Sequence, residues 1–159
     1  MAAIRIANSD AEIKETFAVM CQLRPHLRGT KRRTYLELVR RQQSEVGFQL
    51  AVLRRNGRVL CVAGFRLCRC LGWGRYLYID DLVTNKKMRS KGAGHAMFQW
   101  LVKYGLDERC DQLRLDSAVF RHGAHRFYLR ERMDIACFNF RLELGANVHG
   151  AGRGTATPA

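Results

Sequence analysis

One stretch concentrates the residue types that could do chemistry: residues 76–94, YLYIDDLVTNKKMRSKGAG. Its first half is a strand-like apolar run, and the apolar period after residue 94 predicts a helix. Between them lies Arg89-Ser90-Lys91-Gly92-Ala93-Gly94. Backbone N–H groups at a helix N-terminus have no intrahelical partner, and the helix dipole favours negative charge there. Gly92 and Gly94 remove the Cβ atoms that would hold a phosphate off that backbone, while Arg89 and Lys91 add positive charge. The arrangement is an anion cradle. It is not a Walker loop, which ends in Gly-Lys-Ser/Thr, and it lacks the third glycine of a dinucleotide fingerprint.

Other reactive side chains are less organised. Strand alternation predicts Tyr76, Tyr78, Asp80, Leu82 and Thr84 on one face of the sheet, with Asp81 on the other. His122 and His125 lie three apart but have no third ligand at a useful spacing, so no metal is expected. The six cysteines, Cys21, Cys61, Cys68, Cys70, Cys110 and Cys137, have no zinc-type spacing. They are expected as buried or half-buried free thiols. No cysteine is expected beside the cradle with a histidine partner, which disfavours a covalent acyl-cysteine route.

The elements that must position these groups can be read in order. Residues 3–7 predict a short strand. Asn8-Ser9-Asp10 supplies helix caps, and a helix follows to Leu23, ended by Pro25 and Gly29. A second helix is predicted over 34–43. Two strands, 48–54 and 58–70, flank Asn56-Gly57, a strong hairpin signal. A third strand follows over 75–84. Then come a helix over 92–109, a strand over 112–118, a short helix over 123–132 and a last strand over 135–144. The order is β-α-α-β-β-β-α-β-α-β. A single domain over 1–144 is expected, with a Gly/Ala/Thr-rich flexible tail over 145–159.

The Arg-x-x-Gly-x-Gly run at 89–94, after a strand and opening a helix, resembles the acetyl-CoA signature of the GCN5-related N-acetyltransferase (GNAT) family. The element order is similar to that family's fold. Residues 115–128, LDSAVFRHGAHRFY, resemble its second cofactor segment, with Ala124 and Tyr128 four apart on a short helix. The resemblance covers residues 3–144. It implies an α/β (α+β) acyl-CoA N-acyltransferase fold, a mixed, mostly antiparallel sheet flanked by helices, whose fourth strand splays from the fifth. It implies acetyl-CoA as co-substrate and transfer to an amine. Main-chain groups of Leu82, Val83 and Thr84 would pair with the pantetheine arm. The pyrophosphate would lie on Arg89, Ser90, Lys91, Gly92, Ala93 and Gly94, with His95 at the next turn, and Ser117, Ala124 and Phe127 would complete the cofactor side. Ser117 stands where the family often has asparagine, and Arg132-Met133 where it often has Gly-Phe. Tyr128 would be the general acid, since a leaving thiolate with a reference pKa of about 8.5 benefits from a proton donor. Asp80 would be the general base or the anchor for the ammonium.

Composition bounds the rest. The 159 residues are 47% hydrophobic and 26% charged, which suits one globular domain rather than a disordered chain. No apolar run reaches the roughly 20 residues of a membrane span, so no membrane partner is expected. The opening residues lack the pattern of a signal peptide, and a cytoplasmic location is expected. The net charge is +14, and no acidic residue occurs between Glu45 and Asp80. Such a field attracts polyanions or acidic substrates. An alternative is therefore a basic module that binds nucleic acid or senses acyl-CoA without turnover. The absence of a recognisable nucleic-acid motif disfavours it. Arg28, Lys31, Arg32 and Arg33, near the expected acceptor side, favour an amine acceptor that also carries an anionic group. A homodimer is left open.

Overall fold

The computed structural model describes residues 3–144. The flexible tail expected over 145–159 lies outside the described residues. Strand β1 (Ala3–Ile6) leads to helix α1 (Asp10–Leu23), a 3-10 turn (Pro25–Gly29) and helix α2 (Arg32–Val46). A meander follows: β2 (Gln49–Arg55), β3 (Arg58–Cys70) and β4 (Gly74–Thr84). The chain then forms a short 3-10 turn (Lys86–Met88), α3 (Ala93–Asp107), β5 (Gln112–Leu115) and α4 (His122–Arg130). The five strands form one sheet in the order β1-β2-β3-β4-β5. All neighbours pair antiparallel except β4 and β5, which are parallel. This is the mixed, mostly antiparallel sheet flanked by helices that the family resemblance implies.

Local signals explain the boundaries. Ser9 caps α1 in a capping box: Glu12 N–H donates to Ser9 Oγ at 3.3 Å, and Ser9 N–H donates to Glu12 Oε2 at 3.1 Å. The Ser9 N–H, the Ser9 hydroxyl and the Asn8 N–H all donate to the Glu12 carboxylate and hold its pKa below the usual value. Alternation along β2 splits the core into two layers. Leu50 and Val52 join Ile13, Met20, Tyr35 and Val39 under α1 and α2. Ala51 and Leu53 join Phe65, Leu77, Met97 and Leu101 under α3. Helices on both faces make the central strands near-continuously apolar, as their sequences are.

Two expected strands differ. The strand expected over 112–118 stops at Leu115, because β5 leaves its neighbour there. The strand expected over 135–144 does not form, and these residues have no ladder partner. Their period-two pattern is strand-like, but a strand needs an edge in register. The four-residue β5 is too short to serve ten residues.

Candidate active site

The site begins with a break in the sheet. β4 pairs with β5 only from Tyr76↔Gln112 to Ile79↔Leu115. Beyond Ile79 the two strands part, while β4 remains paired to β3 as far as Cys61↔Thr84. The β5-facing side of residues 80–84 therefore has no strand partner. A bulge lies at the parting: Phe65 faces Ile79 but Gly64 faces Asp81, so Asp80 is an extra residue on β4. A bulge turns the strand and interrupts its alternation. This corrects the expected faces. Leu77, Ile79 and Leu82 pack in the α3 layer, whereas Val83 packs under α1 and α2. Asp81 thus lies on the α1–α2 face and does not oppose Asp80 as simple alternation would require.

The cradle sits at the end of that slot. Asn85 N–H donates to Leu60 O at 2.8 Å, and Gln22 of α1 accepts from Lys86 N–H at 2.8 Å, tying the loop to the sheet and first helix. Ser90 and Gly92 both have positive φ, 59° and 78°. Such turns aim successive N–H groups into one concavity. Gly92 caps α3 without any side-chain bond to its N-terminal amides. Arg89, Ser90 and Lys91 are exposed, whereas Ala93 is buried and anchors the helix start. A Cβ on Gly94 would lie 3.1 Å from Thr84 Oγ1 and 3.7 Å from the Phe127 ring. At Gly94 the start of α3 comes within contact of both β4 and α4.

α4 forms the other wall. Phe127 stacks edge-on against Phe98 at 5.9 Å and against Tyr128 at 5.4 Å. Tyr128 is half-buried in the α3 layer. Burial pushes its hydroxyl pKa up, and the Arg121 charge only partly opposes that. Ala124 is half-buried on the same helix. Ser117 follows β5 where it leaves the sheet, and its Oγ is buried without a hydrogen-bond partner. A buried hydroxyl lacking a partner is costly unless something else fills the role. His95 points elsewhere: its Nδ1 lies 2.8 Å from Glu131 Oε1, beside a carboxylate that Gln99 also reaches. It joins α3 to the end of α4. His122 and His125 pack edge to face at 6.1 Å, and His125 Nε2 meets Ala118 O at 3.0 Å. Among the described residues no group of three His, Cys, Asp or Glu side chains could hold a metal.

On the opposite face lies a cluster that sequence spacing left unread. Arg66 donates to both Asp80 oxygens at 2.8 Å and sits over the Tyr78 ring. Arg24, leading into the 3-10 turn, donates to Asp81 Oδ1 at 2.7 Å and to Asp80 O at 3.0 Å. Burial raises the Asp81 pKa and Arg24 pulls it back. Tyr78 is pushed up, first by burial and then by its hydrogen bond to Asp116. The available signal was the same-face spacing of Arg66 on β3 with Tyr78 and Asp80 on β4, but it required the pairing register.

Cys61 Sγ lies 3.5 Å from Thr84 Oγ1, so a cysteine flanks the slot. Burial pushes its thiol up to about 11, which leaves almost no thiolate at neutral pH. Cys137, expected as buried or half-buried, is exposed.

The unpaired edge of β4, the positive-φ turn before α3 and the half-buried Tyr128 all border the α3 layer. That set can hold a phosphorylated, extended thioester and protonate its leaving group. Comparison with known proteins identifies the family. The acetyltransferase (GNAT) family model matches residues 13–133. An uncharacterized N-acetyltransferase, YhdJ of Bacillus subtilis, is 28% identical over 120 residues, covering 76% of this chain and 82% of that protein. Among solved structures, a ribosomal-protein-alanine N-acetyltransferase from Brucella melitensis superposes with a TM-score of 0.76 at 14% identity, covering 91% of this chain and 100% of that one. The AAC(6')-Iy structure, in complex with the bisubstrate analogue CoA-S-monomethyl-acetylneamine, superposes with a TM-score of 0.74 at 11% identity, covering 92% and 99%. The chain belongs to the GNAT family and is an N-acetyltransferase.

Proposed function

We propose that this enzyme transfers acetyl from acetyl-CoA directly to a primary amine of a small molecule or peptide that also carries an anionic group. The observation that carries the reading is the parting of β4 from β5 after Ile79, with the 89–94 cradle at its end. The pyrophosphate would rest on the amides of Arg89 to Gly94. The pantetheine arm would pair with the free edge of Leu82, Val83 and Thr84 in place of a strand. The unpartnered Ser117 Oγ, Ala124 and Phe127 would line the far wall. His95, held by Glu131, would support the cradle by fixing α3 against α4.

In the reaction the amine nitrogen bonds to the thioester carbonyl carbon as the carbon–sulfur bond breaks. A β4 amide near Leu82 would hold the developing oxyanion. Tyr128 would give its proton to the departing sulfur, and the amine's proton would leave to solvent. Arg66 already occupies both Asp80 oxygens, so Asp80 would anchor the incoming ammonium only when that pair opens. The anionic part of the acceptor would meet Arg28, Lys31 and Arg32, which are exposed beside the buried anchor Leu27.

The test is free-thiol release from acetyl-CoA across a panel of amines, with CoA-induced thermal stabilisation measured alongside. Thiol release with an acidic amine, and loss of the thermal shift in Gly94→Val, would support the reading. A thermal shift that survives Gly94→Val would remove the cradle. Binding without turnover on any amine would favour the non-catalytic module that the net charge of +14 keeps in view.

A further inference from the structure

Arg66 and Asp80 hold opposite charges side by side where β4 leaves β5. Arg66 Nε and Nη2 each donate to one Asp80 oxygen at 2.8 Å, and the guanidinium lies 5.3 Å from the centroid of the Tyr78 ring. Asp80 is the bulged residue directly after Ile79, the last β4 residue paired to β5. Phe65 and Leu67, which flank Arg66, pack in the α3 layer with Tyr128, so alternation puts the pair on the other side of the parted strands. An amine that reaches the slot from that side passes the pair. The neighbouring pair is built differently. Arg24 bonds Asp81, which is only 13% exposed, and also donates to the Asp80 carbonyl, so it fastens backbone. The Arg66 bonds both go to a side chain, and the Arg66 and Asp80 side chains are 30% and 25% exposed. A pair of that kind can exchange partners without disturbing the sheet.

We propose that the acceptor is a free α-amino acid, whose carboxylate takes the Arg66 fork while its ammonium takes the Asp80 carboxylate. The planar guanidinium matches a carboxylate through two parallel bonds. The protein's own charges sit 2.8 Å apart across those bonds. Only a ligand whose opposite charges are comparably close can replace both halves at once, and an α-amino acid carries its ammonium and carboxylate on a single carbon. A simple amine would offer Asp80 a cation and leave Arg66, a part-buried charge, without an anion, which is costly. The terminal amine of a peptide brings a neutral amide where the carboxylate is needed. With an amino acid the exchange conserves charge: one pair opens and two form. That supplies what opens the pair and frees Asp80 for the ammonium. Before attack the bound ammonium gives one proton to solvent, and transfer then follows the course given above. The exposed Arg28, Lys31 and Arg32 act earlier, drawing the anionic group in from solvent. The inference rests on the acetyl-transfer reading and narrows its acceptor.

Thiol release from acetyl-CoA tests it, with each common amino acid supplied both as the free acid and as its carboxamide. The carboxamide keeps the amine and the side chain and removes only the carboxylate charge. Its amine is also less protonated at neutral pH, which by itself favours the carboxamide. For at least one amino acid the free acid should have a kcat/KM at least about tenfold above that of its carboxamide. Arg66→Leu should bring that ratio within about threefold of unity through the KM of the acid, and Arg66→Lys, which keeps the charge but not the fork, should fall between. Thermal stabilisation by CoA shows that each variant folds, and if Arg66→Leu lacks it, the ratio in Arg66→Lys decides. Equal use of acids and carboxamides by the wild type, release with simple amines or peptides only, or a ratio unchanged in the folded variants would each overturn the proposal and leave acetyl transfer standing. No release with any amine would remove both.

Discussion

Tyr128 carries the sharpest test of the chemistry. Burial holds its hydroxyl above the ordinary tyrosine value of 10.0, so it keeps its proton through the neutral and mildly alkaline range. Tyr128→Phe should lower kcat roughly a hundredfold and leave CoA affinity within about twofold, because only the late proton transfer is lost. Turnover at saturating substrate within a factor of about two of wild type would show that Tyr128 is not the acid. The sign of the shift also constrains the pH profile. A raised pKa moves deprotonation upward, so an alkaline fall in kcat due to this residue should have its midpoint above the ordinary tyrosine value. A fall that begins near pH 8 and persists in Tyr128→Phe would belong to another group.

At the next level, the 3-10 turn between α1 and α2 is fastened to the bulge by one arginine. Arg24 bonds the Asp81 carboxylate and the Asp80 carbonyl. Removing it would leave a carboxylate with 13% side-chain exposure without the guanidinium that bonds it. Arg24→Ala should cost about 2 kcal/mol at neutral pH, less than a fully buried pair because the arginine is itself 43% exposed. The cost should depend on pH in a definite direction. The Asp81 pKa is already raised by burial, and losing Arg24 raises it further. The penalty is therefore full where Asp81 is ionised and shrinks as acid neutralises it. Urea unfolding of both proteins at pH 7.5 and pH 5 measures this, and an equal loss at both would mean that the ion pair is not the source.

Across the molecule, charge is the dominant organising quantity. Arg28, Lys31 and Arg32 are exposed on one turn, while Arg33 is already paired with Glu37 at 3.0 Å. Neutralising Arg32 and Arg33 together should raise the KM of an acidic acceptor about threefold to tenfold and leave that of acetyl-CoA nearly alone. The difference should shrink with added salt, because these charges are solvated. Equal rises in both constants would point to a misplaced domain, and no rise with an acidic acceptor would make the turn a plain solvated surface.

Local chemistry was legible along the chain. The capping box at Ser9, the Asn56-Gly57 hairpin, the alternation of β2 and the glycine-bearing start of α3 all depend on neighbours within a few residues, and each is where the spacing puts it. The positive-φ turn that opens α3 was legible for the same reason: its glycines and cations are contiguous. Register was not. The extra residue at Asp80 comes from how β4 lies on β3, and it alone moved Asp81 to the α1–α2 face and bound Asp80 to Arg66. The parting of β4 and β5, the partnerless Ser117 hydroxyl and the turning of His95 toward Glu131 likewise join residues distant in sequence. The strand pattern over 135–144 makes the contrast plainest. Alternation specifies which side chains share a face, but only an available edge of matching length turns such a run into a strand, and the described fold supplies four residues of one.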